Sequence, residues 1–110
     1  MLIDFINMEE TIVPHSRGGE KDTIMRRFTD ELGNRIMTMK LVPGASIGYH
    51  MHEDESEIMY ILKGSGKMLY DGGYEILTAG QGHLCPKGHS HGFINNTDED
   101  LEFFAVVAKQ

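Results

Sequence analysis

Gly44-Ala45-Ser46-Ile47-Gly48-Tyr49-His50-Met51-His52-Glu53-Asp54-Glu55-Ser56-Glu57-Ile58-Met59-Tyr60-Ile61-Leu62-Lys63-Gly64 is the stretch that decides how this chain is read. It holds two strand-like runs, Ile47–His52 and Glu57–Lys63, on either side of a short acidic segment. Successive side chains on a strand point to opposite faces, so His50 and His52 share a face. A turn through the acidic residues returns the chain antiparallel and aims the Glu57 carboxylate at the histidine pair. Glu53, Asp54 and Glu55 read as a solvated loop.

Outward from this core the chain repeats the pattern. Further candidate strands are Ile24–Thr29, Arg35–Val42, Gly66–Tyr70, Tyr74–Leu77, His83–Cys85, His91–Asn95 and Leu101–Ala108. Pro43-Gly44, Asp71-Gly72-Gly73, Pro86-Lys87-Gly88 and Asn95-Asn96-Thr97-Asp98 punctuate them as turns. Gly44, Gly64, Gly80 and Gly88 fall where a closing barrel needs corners. No segment carries a capped helical repeat over three turns; Met8–Val13 reads as one short turn and Pro14–Glu20 as a loop. Short strands at this spacing predict an all-β sandwich or barrel. Strand parity places Met37, Met39 and Leu41 on one face and Glu57, Met59 and Ile61 on another, a soft apolar lining.

The chemistry concentrates in histidine. Five of the six histidines, His50, His52, His83, His89 and His91, lie between residues 50 and 91, with His15 apart in a loop. His91 opens a late strand and can complete the set from across a barrel. Three imidazoles and a carboxylate suit Fe, Mn, Ni, Co, Cu or Zn, whereas Mg and Ca prefer oxygen. The single cysteine, Cys85, excludes an intrachain disulfide and a thiolate zinc site. His83 and Cys85 alternate onto one face and read as packing, with a supporting role for His83 left open. His89 reads as a turn residue near the mouth, and Tyr49 and Tyr60 as packing. Asn95 reads as a residue that hydrogen-bonds a turn.

Composition bounds the rest. A length of 110 residues suits one domain, read as an irregular segment or strand over 1–22 and a barrel over 23–110. A net charge of −7 argues against a nucleic-acid partner, which needs clustered Lys and Arg. No apolar run approaches the ~20 residues of a membrane span. Residues 1–10 carry acidic groups and no basic leader, so a cytoplasmic protein is expected.

The spacing of these residues resembles the cupin family. Its first motif is Gly, five residues, His-x-His, three or four residues, Glu, six residues, Gly; the second is Gly, five residues, Pro-x-Gly, two residues, His, three residues, Asn. Here the first falls on Gly44, His50, His52, Glu57 and Gly64, the second on Gly80, Pro86, Gly88, His91 and Asn95. Chance matching of all these positions is on the order of 10⁻¹² per placement. The resemblance implies a double-stranded β-helix, or jelly-roll barrel, of six to eight strands. It implies one divalent transition-metal ion on His50, His52, Glu57 and His91. Four ligands on an ion that prefers six leave about two positions for a small-molecule ligand or substrate.

The family also implies dioxygenase, decarboxylase, lyase or isomerase chemistry on a small polar or carboxylate-containing molecule. A non-catalytic module that binds a small molecule or the metal is the alternative. No catalytic residue is identified: Glu53 and Glu55 read as a solvated face, Arg26, Arg27 and Arg35 are cations without an assigned place, and no lid motif of the oxalate decarboxylase kind is present. A homodimer is the implied partner state, with the N-terminal segment and Leu101–Ala108 expected to supply a sheet-edge contact.

Overall fold

The alternation read in the sequence is realised strand by strand in a computed structural model that describes residues 1–110. Ten strands follow in order: β1 Thr11–Pro14, β2 Asp22–Thr29, β3 Arg35–Leu41, β4 Ser46–Met51, β5 Glu55–Lys63, β6 Ser65–Tyr70, β7 Gly73–Thr78, β8 Gly82–Cys85, β9 Ser90–Ile94 and β10 Leu101–Lys109. They form two antiparallel sheets, one ordered β1-β2-β3-β10-β5-β8 and one ordered β4-β9-β6-β7. The sheets face each other as a jelly-roll barrel, and the core lies between them. No helix is long and apolar enough to cross a membrane.

The inner faces follow from period-2 patterning. Met37, Met39 and Leu41 of β3, Met59 and Ile61 of β5, and Leu101, Phe103, Ala105 and Val107 of β10 are buried. Their neighbours Ile58, Tyr60 and Leu62 are about half exposed on the outer face. The four corner glycines, Gly44, Gly64, Gly80 and Gly88, all take positive φ. Asn95 is fully buried; its side-chain amide donates to the carbonyls of Leu41 and Glu99 and its oxygen accepts from Thr97. It ties the β9–β10 turn to the end of β3, as expected of a turn-bonding residue.

Three expectations are corrected. Met8–Val13 is no helical turn: Thr11–Pro14 pairs antiparallel with β2, because a free edge of β2 offers backbone partners that a short helix cannot match. Within the expected loop Pro14–Glu20, Ser16–Gly18 forms one 3₁₀ turn. Leu101–Ala108 is not an edge strand: β10 runs between β3 and β5 at the centre of the larger sheet. The N-terminal segment instead covers part of that sheet's outer face, with Phe5 edge-on to Phe104 at a centroid distance of 6.0 Å.

Candidate metal centre

The histidine pair reaches the interior because β4 is irregular. Ile47 pairs with Phe93 and His50 with His91, so three steps on β4 match two on β9. This bulge lets Ile47 and His50 both face inward, although an odd spacing on a regular strand would put them on opposite faces. Tyr49 and Met51 face solvent, and His52, just past β4, is buried. Glu57 comes from β5 and His91 from β9, both buried.

These four side chains meet. One ligand atom from each of His50, His52, Glu57 and His91 lies within 4.8 Å of every other. His52 Nε2 is 3.2 Å from His50 Nε2, 2.9 Å from His91 Nε2 and 3.1 Å from Glu57 Oε1. His91 Nε2 is 2.9 Å from Glu57 Oε1.

The far nitrogens explain the convergence. His50 Nδ1 donates to the Gly48 carbonyl at 2.7 Å, an acceptor only, so its Nε2 is bare when the ring is neutral. His52 Nδ1 donates to Glu55 Oε1 at 3.0 Å. His91 Nδ1 lies 3.1 Å from His83 Nε2. Three Nε2 atoms and a carboxylate oxygen thus crowd one point, and lone pairs brought this close repel unless a cation or a proton sits among them. The donor set fits a divalent transition metal and could hold one.

Ionisation follows the same geometry. Burial pushes the His50 pKa down to about 4, against the hydrogen bond to Gly48, so the ring is neutral near pH 7. Burial pushes the Glu57 carboxyl up, but hydrogen bonds from His52 and His91 outweigh it and bring the value down to about 2. The hydrogen bond to Glu57 raises His52 above the ordinary histidine value, so a proton competes with a metal for this nitrogen. Burial lowers His83. Burial also pushes the Cys85 thiol up to about 11, which leaves it a buried packing group rather than a nucleophile.

A cavity of about 90 Å³ opens beside the four residues. Its wall includes Met37, Met39 and Met59, a soft lining expected from strand parity, and Met25 and Met68 extend it. Three arginines also reach it: Arg17, Arg27 and Arg35. Arg35 is committed to Glu55 through contacts of 3.1 and 3.3 Å. The other arginine ion pair joins Arg26 to Glu10, facing away from the cavity, so Arg17 and Arg27 are uncommitted.

Arg17 sits on the 3₁₀ turn, which lies directly on β4. A Cβ at Gly48 would stand 1.9 Å from the Arg17 carbonyl oxygen, and one at Gly19 would stand 2.0 Å from the Ser46 carbonyl oxygen. Only glycine at both positions lets the turn seat there.

Sequence reasoning missed several residues around this centre. Glu55, read as solvated, is buried between His52 and Arg35 because those two groups satisfy its charge. Its position three residues after His52 was a usable signal. Arg17 gave none beyond its neighbouring glycines. His83 is more than packing, since both its nitrogens are hydrogen-bonded, one to Glu75. His89 stays outside the cluster, half exposed and bonded to Asp71. Tyr49 and Tyr60 face outward.

Comparison with known proteins bears on the family and the fold. The cupin-domain family profile matches residues 37–107, and the chain belongs to the cupin family. An oxalate-binding protein of Thermotoga maritima is 46% identical over 101 residues, covering 86% of this chain and 83% of that protein. The crystal structure of a predicted oxalate decarboxylase from Thermotoga maritima superposes with a TM-score of 0.92 at 32% identity, over 100% of both chains. The polyketide cyclase RemF of Streptomyces resistomycificus shares the fold, with a TM-score of 0.80 at 24% identity over 100% of this chain and 80% of that one.

Proposed function

We propose that the protein holds one divalent first-row transition-metal ion on His50, His52, Glu57 and His91 and uses it to bind a small carboxylate, oxalate being the reference compound. When bound, the ion supplies a Lewis acid for carboxylate oxygens. The observation that carries the reading is the pairing of this donor set with two uncommitted guanidiniums, Arg17 and Arg27, around one small cavity. In a chain of net charge −7, two exposed cations without an ion pair at the edge of a cleft have a use for an anion. Guanidinium donors match a carboxylate geometrically as well as electrically. A volume of about 90 Å³ is well below the few hundred Å³ of drug-sized pockets, which favours a very small acid over a polyketide. The methionine wall keeps water away from the bound group and strengthens each of these contacts.

The lining supports binding over turnover. Glu57 is the one carboxylate in the wall, and it is taken up by the histidines. Loss of CO₂ from an acid leaves a carbanion that needs a proton, and the lining offers no free side-chain acid to deliver it. The likeness to a predicted oxalate decarboxylase keeps decarboxylation as the second reading.

The test is calorimetric titration of oxalate into protein loaded separately with Mn, Fe, Co, Ni, Cu and Zn, with CO₂ release followed in the same samples. Saturable binding at one oxalate per metal is expected, with affinity weakened at least about tenfold when Arg17 and Arg27 are both replaced by alanine. Binding that persists after chelation, or absent with every metal, would sink the proposal. Metal-dependent CO₂ release would establish the second reading in its place.

A further inference from the structure

Behind His91, on the side away from the cavity, lies a polar file with no part in holding a ligand. Glu75 on β7, His83 on β8 and His91 on β9 are linked end to end. Glu75 Oε1 is 2.6 Å from His83 Nδ1, and His83 Nε2 is 3.1 Å from His91 Nδ1. The His83 and His91 side chains are each 1% exposed, whereas Glu75 is 45% exposed. β7 and β8 are the edge strands of different sheets, so the file crosses the seam between them.

Each link sets the direction of the next. An ionised carboxylate only accepts, so His83 Nδ1 carries a proton and donates it. A neutral His83 then has a bare Nε2, which can only accept. His91 Nδ1 must therefore donate, so Nε2, turned toward Glu57 and His52, is the nitrogen left for a metal, which displaces the proton that Nε2 shares with Glu57 in the metal-free protein. The rings of His83 and His91 stack at 21° with centroids 5.3 Å apart, and Tyr70 stands edge-on to His83 at 5.3 Å, which holds the file in line.

We propose that Glu75 and His83 are positioning residues for the metal centre: a surface carboxylate, acting through a buried imidazole, fixes the tautomer of His91 and makes its Nε2 a better donor. This rests on the metal-site reading above. The sequence from carboxylate to histidine to ligand histidine extends by one imidazole the usual arrangement in which a ligand histidine leans directly on a carboxylate, as His52 does on Glu55. The three histidines are thus supported by three different devices: a backbone carbonyl for His50, a buried carboxylate for His52 and a relay to the surface for His91.

A plain seam contact would hold the sheets together without caring which His91 nitrogen carries the proton. Long-range ¹H–¹⁵N NMR of histidine-labelled, chelator-treated full-length protein reads that directly, and competition with a chromophoric chelator reads zinc affinity. Wild type is expected to carry a proton on His91 Nδ1, the Nδ1–H form, whether or not Nε2 is also protonated toward Glu57. Glu75→Ala should mix the two tautomers and weaken zinc about 10–100-fold. Glu75→Gln, whose amide oxygen still accepts from His83, should restore the tautomer and bring zinc back to within a few-fold of wild type. His83→Phe keeps the ring but removes the acceptor, and should behave like Glu75→Ala.

Retention of the Nδ1–H form and of zinc affinity in both Glu75→Ala and His83→Phe would overturn the proposal. If His83→Phe does not fold, the Glu75 variants decide alone, since that side chain is half exposed. If wild type takes up no zinc, the metal-site reading fails by itself and the NMR arm still decides the relay.

Discussion

At one end of the barrel Leu41, Ile61, Leu101 and Phe103 are completely buried, and Phe93 packs edge-on against Phe103 at 5.2 Å. At the other end the same inward-pointing positions deliver His50, His52, Glu57 and His91. Strand β5 runs the length of the contrast, from Glu57 opposite Val107 to Ile61 opposite Phe103. Strand alternation, shifted on β4 by its bulge, decides which residues face inward at both ends; it does not decide whether the interior is apolar. The packed end supplies dispersion and hydrophobic burial, and the polar end carries desolvated groups that cost stability unless each finds a partner. One end holds the barrel closed so that the other can stay chemically available.

The largest expected effect breaks the packed end. Phe103→Ala removes a fully buried ring and should cost about 3–5 kcal/mol in denaturant unfolding, while the molecules that remain folded keep their metal stoichiometry. A loss under about 1 kcal/mol would mean that the two ends do not divide the labour in this way.

The next effect sharpens the polar end. In chelated protein Glu57 has its pKa lowered from 4.5 to about 2, so its stabilisation is present above pH 4.5 and is lost as pH falls toward 2. His50, lowered from 6.5 to about 4, adds a loss between those values. His52, raised above 6.5, opposes it: its contribution is complete below pH 6.5 and fades as pH rises through its folded value. Glu57→Gln should therefore flatten the acid limb of the melting temperature between pH 4.5 and 2, a change on the order of 3 kcal/mol. An acid limb unchanged in calorimetry would place the acid sensitivity elsewhere.

The smallest effect returns to the packed end. Thr23 is fully buried opposite Leu41, and its hydroxyl has no hydrogen-bond partner. Thr23→Val keeps the shape and removes the orphaned group, so it should stabilise by about 1 kcal/mol. A destabilised variant in the same unfolding assay would show that the hydroxyl is satisfied in solution.

Much of this contrast was legible in the sequence. The faces of Met37, Met39 and Leu41, and of Glu57, Met59 and Ile61, followed from parity, and the corners from glycine. His50, His52, Glu57 and His91 stood out by spacing and by resemblance to a family. What escaped depends on partners distant in the chain. Glu55 looked solvated because its charge is answered by Arg35, 20 residues away. Glu75 was not singled out within the candidate strand Tyr74–Leu77, because its link to His83 crosses from one sheet to the other. Within the segment read as irregular or a strand, the place of β1 escaped because Thr11–Pro14 has little alternation of its own and is defined by pairing with β2. Local pattern specifies which way a residue points; it does not specify what waits there.

The bulge on β4 acts as a phase shift. Upstream of it Ile47 faces in, and downstream the facing set is His50 and His52 rather than Tyr49 and Met51. Drawn out as a regular strand with the same residues, β4 would bring Tyr49 and Met51 to the interior and turn both histidines to water. The identity of this barrel as a candidate metal protein is therefore stored partly in where one strand takes up an extra residue, and not only in which residues it carries.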